Sequence, residues 1–206
     1  MSRIVIVDYG FCNLDSVLRA VQECGGDAVV SDDPRSAATA GKLILPGVGS
    51  FAEAMKSIRA LGWDDTLRRE VAQNGIPLLG ICLGMQLLAT RGTEGGDSDG
   101  LGLVPGRVVR LTRTTPDLRI PHVGWNEVEQ RRPSPLFEGI ADHKDFYFVH
   151  CFHFVPDHNE DILGTTAYGE DFVSVVGRGI VVGTQFHPEK SLRTGFALLR
   201  NFIERC

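Results

Sequence analysis

Three observations in this 206-residue sequence predict a single α/β domain spanning 1–206. Through Ala89, short apolar runs alternate with stretches whose apolar residues recur at three and four, the pattern of successive βαβ units. Glycine-bearing loops follow two of those runs, and parallel sheets gather ligand contacts at such strand ends. From Val104 to Val176 the pattern changes to short β segments separated by turns. Together these imply a flavodoxin-like, mostly parallel central sheet flanked by helices, with extra antiparallel strands in the second half.

Taken in order, Arg3 to Asp8 reads as a first strand, and Leu14 to Cys24 as a helix with Leu14, Val17, Leu18 and Val21 on its apolar face. Gly25-Gly26 closes that helix, since a glycine accepts the left-handed conformation common just past a helix end. Asp27 to Ser31 is a second strand. Leu43-Ile44-Leu45 is a third, followed by the loop Pro46-Gly47-Val48-Gly49 and a helix carrying Phe51, Met55, Ile58 and Leu61. The run from Pro77 to Ile81 is a buried strand, and Met85 to Ala89 a helix. The glycine-rich stretch Arg91 to Gly100 is the least ordered-looking part of the chain. Arg107–Leu111, Trp125–Val128, Asp145–Val149, Gly164–Ala167, Phe172–Val176 and Gly179–Val182 read as strands, and Thr194 to Glu204 as a closing amphipathic helix.

The chemistry concentrates at Gly80-Ile81-Cys82-Leu83-Gly84, where glycines stand two residues to either side of a cysteine. This spacing suits a strained strand-to-helix elbow that lifts one nucleophilic side chain above a sheet edge. The helix after it would offer free amides and a positive end to a thiolate and an oxyanion. The same residues also fit a buried cysteine between packing glycines. Far downstream, Gln185-Phe186-His187-Pro188-Glu189-Lys190-Ser191 leaves the end of another apolar strand. Thiol catalysis needs a base and a group that orients it, and Cys82, His187 and Glu189 supply those three types. Singly, His187 and Glu189 also read as a surface histidine and a solvated charge. Acyl transfer further needs two donors aimed at the developing oxyanion. The natural pair is the Leu83 amide and one amide from the Pro46–Gly49 loop. Cys151 and His153 form a rival pair on one strand face, but it lacks an elbow and a carboxylate, so a packing role is preferred. His150 and His153 would face opposite sides of a strand and could not share a metal.

These motifs resemble the class I, triad-type glutamine amidotransferases. Asp8-Tyr9-Gly10, Pro46-Gly47-Val48-Gly49-Ser50-Phe51, Pro121-His122-Val123-Gly124-Trp125-Asn126 and Tyr147-Phe148-Val149-His150 narrow the resemblance to one branch, the glutaminase subunits of imidazole glycerol phosphate synthase. The similarity runs from Ile4 nearly to the C-terminus. It implies Cys82 as nucleophile, His187 as proton carrier and Glu189 as its orienting group. It also implies an oxyanion hole of Leu83 with Val48 and Gly49, the Val48 amide serving after a peptide flip. L-glutamine is the implied substrate. Its α-ammonium would lie on Glu94 beside the Gln86 side chain, and its carboxylate on the backbone of Cys151 and Phe152, where side-chain identity matters little. Asn13, Trp125, Asn126, Tyr147 and Lys190 fall where such a subunit faces a (β/α)₈ cyclase partner in a heterodimer, near the entrance of an ammonia passage. This chain departs from the usual family pattern at Cys12, where glycine is common. Two other readings share the motifs: a paralogue feeding another synthase, as in surface-sugar modification, and a catalytically silent partner-binding module. The complete Cys-His-Glu set argues against the second.

Composition narrows the rest. The hydrophobic content of 43% and charged content of 23% are those of an ordinary globular protein, and no run of eighteen or more apolar residues is present. Met1-Ser2-Arg3 leads at once into the first strand without a signal-peptide pattern, so a cytoplasmic location and no membrane partner are expected. A net charge of −5 gives nucleic-acid binding little support. Five cysteines without a C-x-x-C pair read as reduced thiols, and neither a metal nor any other cofactor is expected.

Overall fold

The computed structural model describes residues 3–206, so the Met1-Ser2 lead-in lies outside the described residues. β1 (Ile4–Val7) passes through α1 (Leu14–Glu23) to β2 (Ala28–Ser31). β3 (Lys42–Gly47) passes through α2 (Phe51–Leu61) and α3 (Trp63–Ala72) to β4 (Leu78–Cys82), which runs directly into α4 (Leu83–Leu87). The second half supplies β5 (Arg91–Gly92), β6 (Ser98–Asp99), β7 (Gly106–Arg110), β8 (His122–Gln130) and β9 (Lys144–His150). It continues with β10 (Phe152–Pro156), β11 (Ile162–Tyr168), β12 (Glu170–Arg178), β13 (Val181–Thr184) and α5 (Leu192–Arg205).

The order β2-β1-β3-β4-β13 is parallel throughout, the flavodoxin arrangement. Beyond β13 the sheet continues antiparallel through β12, β10 and β7, while β11, β8 and β9 branch from β12. β1, β4 and β13 are buried at every residue because helices cover both faces, which is why they read as unbroken apolar runs. Period-two alternation divides their side chains between two cores. Ile4 and Ile6 join Val17 and Val21 of α1 with Leu198 and Phe202 of α5. Val5 and Val7 join Met55 of α2 and Trp63 and Leu67 of α3 on the other face. Each such fully buried side chain stabilises the fold by about 1.5–3 kcal/mol relative to exposure.

Several boundaries differ from the sequence expectation for identifiable reasons. The helix after the elbow was expected over Met85–Ala89. It begins directly at Leu83 and runs only to Leu87, so its axial dipole is small. α3 was not foreseen; Gly62, with φ +78°, breaks what would otherwise be one helix and starts another. β10 was also missed, and Gly179 (φ +60°) and Ile180 belong to the turn before β13 rather than to the strand. The glycine-rich stretch is paired into the sheet through β5 and β6. α1 ends as the glycines predict: Gly25 N–H donates to Gln22 and Gly26 N–H to Val21, both at 2.9 Å.

Candidate active site

β4 and β13 are neighbours in parallel register, Gly183 opposite Gly80 and Thr184 opposite Ile81. The chain therefore leaves both strands at the same edge, one residue before Cys82 and Gln185. Cys82 has φ +55° and ψ −109°, a conformation that costs a residue with a Cβ about 1–3 kcal/mol. Glycine neighbours make it possible. A Cβ at Gly84 would fall onto the Leu45 carbonyl oxygen, and one at Gly80 would come within 2.7 Å of the Met85 nitrogen. The sulfur is nearly buried at 6% exposure for the residue, 3.9 Å from the Val149 carbonyl and 3.7 Å from Gln185 Nε2.

His187 and Glu189 leave the neighbouring strand in a loop that is tightly held. His187 Nδ1 is 2.7 Å from Glu189 Oε1, with both side chains almost fully buried. Since a carboxylate only accepts, Nδ1 carries the proton, and Nε2 is left buried with no well-aligned hydrogen-bond partner. Burial alone would lower the basicity of this imidazole. The Cys82 charge, the contact with that sulfur, and the bond and charge of Glu189 outweigh it and raise the ring from 6.5 to about 10. The imidazolium is thus the form favoured beside the sulfur. Ser191 clamps the loop from behind: its hydroxyl donates to the His187 carbonyl at 2.6 Å and accepts the Tyr147 N–H at 3.0 Å. The His187 N–H closes the loop on the Tyr147 carbonyl at 2.9 Å.

A cavity of amino-acid size opens over Cys82. Its lining includes Val48, Gly49, Leu83, Gln86, Glu94, Cys151 and Phe152, so the expected oxyanion and substrate positions are brought together in space. Burial raises the Glu94 carboxyl despite the Phe51 N–H it accepts at 3.2 Å, and it has no cation beside it among the described residues. An ammonium group would complete it. Gln86 Nε2 donates to the Phe152 carbonyl and to Gln185 Oε1, which leaves Gln86 its own oxygen for a ligand donor. Val48 differs from the simplest expectation: its amide donates to the Phe11 carbonyl at 2.7 Å and is not free to meet an oxyanion. Among the described residues no cluster of His, Cys, Asp or Glu is arranged to hold a metal, and no helix is long and apolar enough to cross a membrane.

Comparison with known proteins fits this geometry. The sequence model of the glutamine amidotransferase class-I family matches residues 5–206. The chain belongs to that family. This amidotransferase is 48% identical to the imidazole glycerol phosphate synthase subunit HisH of Moorella thermoacetica over 99% of its own length and 95% of the relative's. It is 45% identical to the subunit of the same name from Methanosarcina barkeri, with both chains fully covered. Among solved structures, a glutamine amidotransferase superimposes with a TM-score of 0.73 at 23% identity, covering 97% of each chain, which speaks to the fold.

The residues expected to face a partner are not all equivalent in this amidotransferase. On the β8–β9 ladder Trp125 pairs with Tyr147 and Val123 with Val149. Their shared face is open: Trp125, edge-on to Tyr147 at 6.0 Å between centroids, is 49% exposed and Val123 56%. Asn13 is exposed at the start of α1 and makes no side-chain cap, and Lys190 is half-buried beside the base loop. Asn126 has the opposite ladder parity, and its side-chain amide donates to the Ala167 carbonyl at 2.9 Å and faces His122 Nε2 at 3.4 Å. The sequence pointed to no site role for Gln185, His122 or His150, all three of which are buried, His150 in the cavity lining. Gln185 could have been found from its place at the strand end beside the elbow. The two histidines became visible only once β8 and β9 paired.

Proposed function

We propose that this chain hydrolyses L-glutamine to glutamate and ammonia as the glutaminase subunit of an imidazole glycerol phosphate synthase, passing ammonia to a (β/α)₈ cyclase in a heterodimer. The observation that carries the reading is a strained cysteine in contact with an imidazole whose Nδ1 is committed to Glu189 and whose Nε2 has no other well-aligned partner. In this mechanism the Cys82 thiolate attacks the substrate's side-chain carbonyl carbon, and the new oxyanion is met by the Leu83 amide. His187 gives its Nε2 proton to the departing nitrogen, which leaves as ammonia with the γ-glutamyl thioester behind. Water then attacks the thioester, His187 takes a proton from it, and the sulfur is released with glutamate. Glu189 keeps the ring in the required tautomer throughout. The second oxyanion donor is the Val48 amide, which serves only after the Gly47–Val48 peptide turns away from the Phe11 carbonyl. The open apolar face of Val123, Trp125, Tyr147 and Val149, adjoining the cavity through Val149, supports a protein partner there.

Labelling of Cys82 by a glutamine-analogue electrophile tests the chemistry: free glutamine should suppress it, and Cys82→Ala should abolish glutamate release by the complex. Labelling that glutamine leaves unchanged would overturn the nucleophile assignment. Acceptor choice is tested by mixing the chain with the cyclase. Glutamate release that rises steeply with the cyclase's acceptor substrate supports the assignment, and release indifferent to it refutes the partner.

A further inference from the structure

The polar groups around the cysteine form a continuous hydrogen-bonded chain whose direction is fixed at one atom, the Phe152 carbonyl oxygen. A carbonyl only accepts. Gln86 Nε2 reaches it at 2.9 Å, so the Gln86 amide must point its NH₂ there, and the second N–H of that group goes to Gln185 Oε1 at 3.0 Å. With its oxygen engaged, Gln185 turns its own Nε2 to the Cys82 sulfur at 3.7 Å. Gln185 is fully buried and Gln86 nearly so, which leaves the Gln185 amide little freedom to reverse.

The same oxygen sets a second branch. His150 Nδ1 lies 2.9 Å from it and so carries the proton, which leaves His150 Nε2 to accept from His122 Nδ1 at 3.0 Å. His122 Nε2 then faces the Asn126 NH₂ at 3.4 Å. The orientation of that NH₂ is independently fixed, because it donates to Ala167 while Asn126 Oδ1 accepts the Glu127 N–H at 2.9 Å. One proton per contact requires both rings to be neutral. Burial lowers His150 to about 3 and His122 to about 4, so they are. No member of the chain is free to reverse its sense without leaving two acceptors or two donors face to face.

We propose that Gln185 is a further catalytic residue, donating its side-chain N–H to the Cys82 sulfur, with Gln86 as the positioning residue that fixes its direction through the Phe152 carbonyl. The proposal rests on Cys82 being the nucleophile. An N–H aimed at sulfur favours the thiolate before attack and again when the thioester opens, and interacts more weakly with the neutral sulfur of the intermediate. It therefore acts on the rate of the chemical steps rather than on glutamine affinity.

The test follows alkylation of Cys82 by iodoacetamide against pH in the full chain, resolved from the other four cysteines by peptide mass spectrometry. In Gln185→Met the pH of half-maximal alkylation should rise by about one unit, a tenfold loss of thiolate below that midpoint. It should rise further in Gln185→Glu, whose carboxylate opposes the sulfur charge. In the complex kcat should fall about tenfold, because the N–H bond to sulfur strengthens as charge returns to that atom in the transition state for thioester opening. A Gln185→Met chain with the wild-type melting temperature and wild-type alkylation profile overturns the proposal. Independently of any variant, a glutamine side-chain amide pair in the wild-type ¹⁵N spectrum should titrate with the Cys82 alkylation midpoint; constancy of all such pairs also overturns it. Glutamine protection of Cys82 keeps the two ideas apart. Protection with an unmoved profile removes Gln185 alone, whereas loss of protection removes the nucleophile assignment.

Discussion

Replacing Glu189 with glutamine removes one charge beside His187 and almost no volume. The contact is 2.7 Å between heavy atoms and both side chains are buried, so solvent screens it little. With charge centres about 4 Å apart and an effective dielectric near 20, the attraction is about 4 kcal/mol. A neutral amide in the same place retains about 1 kcal/mol as a hydrogen bond, leaving a loss of about 3 kcal/mol. If that loss falls on the protonated ring of the chemical steps, kcat drops by about two orders of magnitude. The assay is glutamate release by Glu189→Gln in complex with the cyclase at saturating acceptor. A stability measurement accompanies it. The folded imidazole is raised to about 10 from 6.5, so its contribution to stability is fully present below pH 6.5 and is lost as pH rises through about 10. The wild-type melting temperature should fall over that interval, and the variant's fall should be smaller and end at lower pH. A variant within threefold of the wild-type kcat, with a superimposable stability curve, would refute the assigned role of Glu189.

Other predictions address the surroundings. His122 and His150 have folded values near 4 and 3, so the stability present above pH 6.5 should be lost on acidification toward pH 3. The slope should approach about 1.4 kcal/mol per pH unit for each ring, read from urea midpoints at stepped pH, and His122→Phe should roughly halve it. Ser191→Ala should cost about 1–3 kcal/mol in chemical denaturation, because it leaves the Tyr147 N–H without its partner while the His187 carbonyl keeps the Lys190 N–H; a loss below about 0.5 kcal/mol would show that the clamp carries no weight. Gly84→Ala should destabilise by about 1–3 kcal/mol, since its Cβ meets the Leu45 backbone rather than a movable side chain; an unchanged melting temperature would contradict the tight elbow. Glu94→Gln should raise KM for glutamine about tenfold with kcat within about twofold, as expected for the loss of a half-buried carboxylate facing an ammonium; unchanged KM would remove Glu94 from the binding site.

Much of this arrangement was readable before any coordinates. The parallel strands are buried on both sides, so Ile4–Val7 and Leu78–Ile81 announce themselves as continuous apolar runs. Elbow glycines are legible for a related reason: the turn tolerates no side chain at 80 or 84, and the pattern persists in one dimension. Features made by pairing across the sheet were not readable. β10 carries Phe152, His153 and Pro156, with no clean alternation, and its place follows from its partners β7 and β12. Gln185 looked like an ordinary strand-end residue because its importance depends on which way a distant amide, Gln86, is turned. Val48 was expected in the oxyanion region and lines the cavity, yet the direction of its N–H is set by Phe11, more than thirty residues earlier in the chain.

The position of β13 has a consequence for biosynthesis. It is the last of the described strands to leave the ribosome, but it occupies the middle of the sheet, between β4 and β12. A nascent chain that already carries Cys82 lacks His187 and Glu189 until this segment inserts, and the contacts it closes span about a hundred residues, a non-local step that slows folding. On the proposed mechanism, partly synthesised or prematurely terminated products draw nothing from the amide nitrogen of the cell's glutamine pool. They are also left with two unsealed strand edges of the kind that chaperones and proteases recognise.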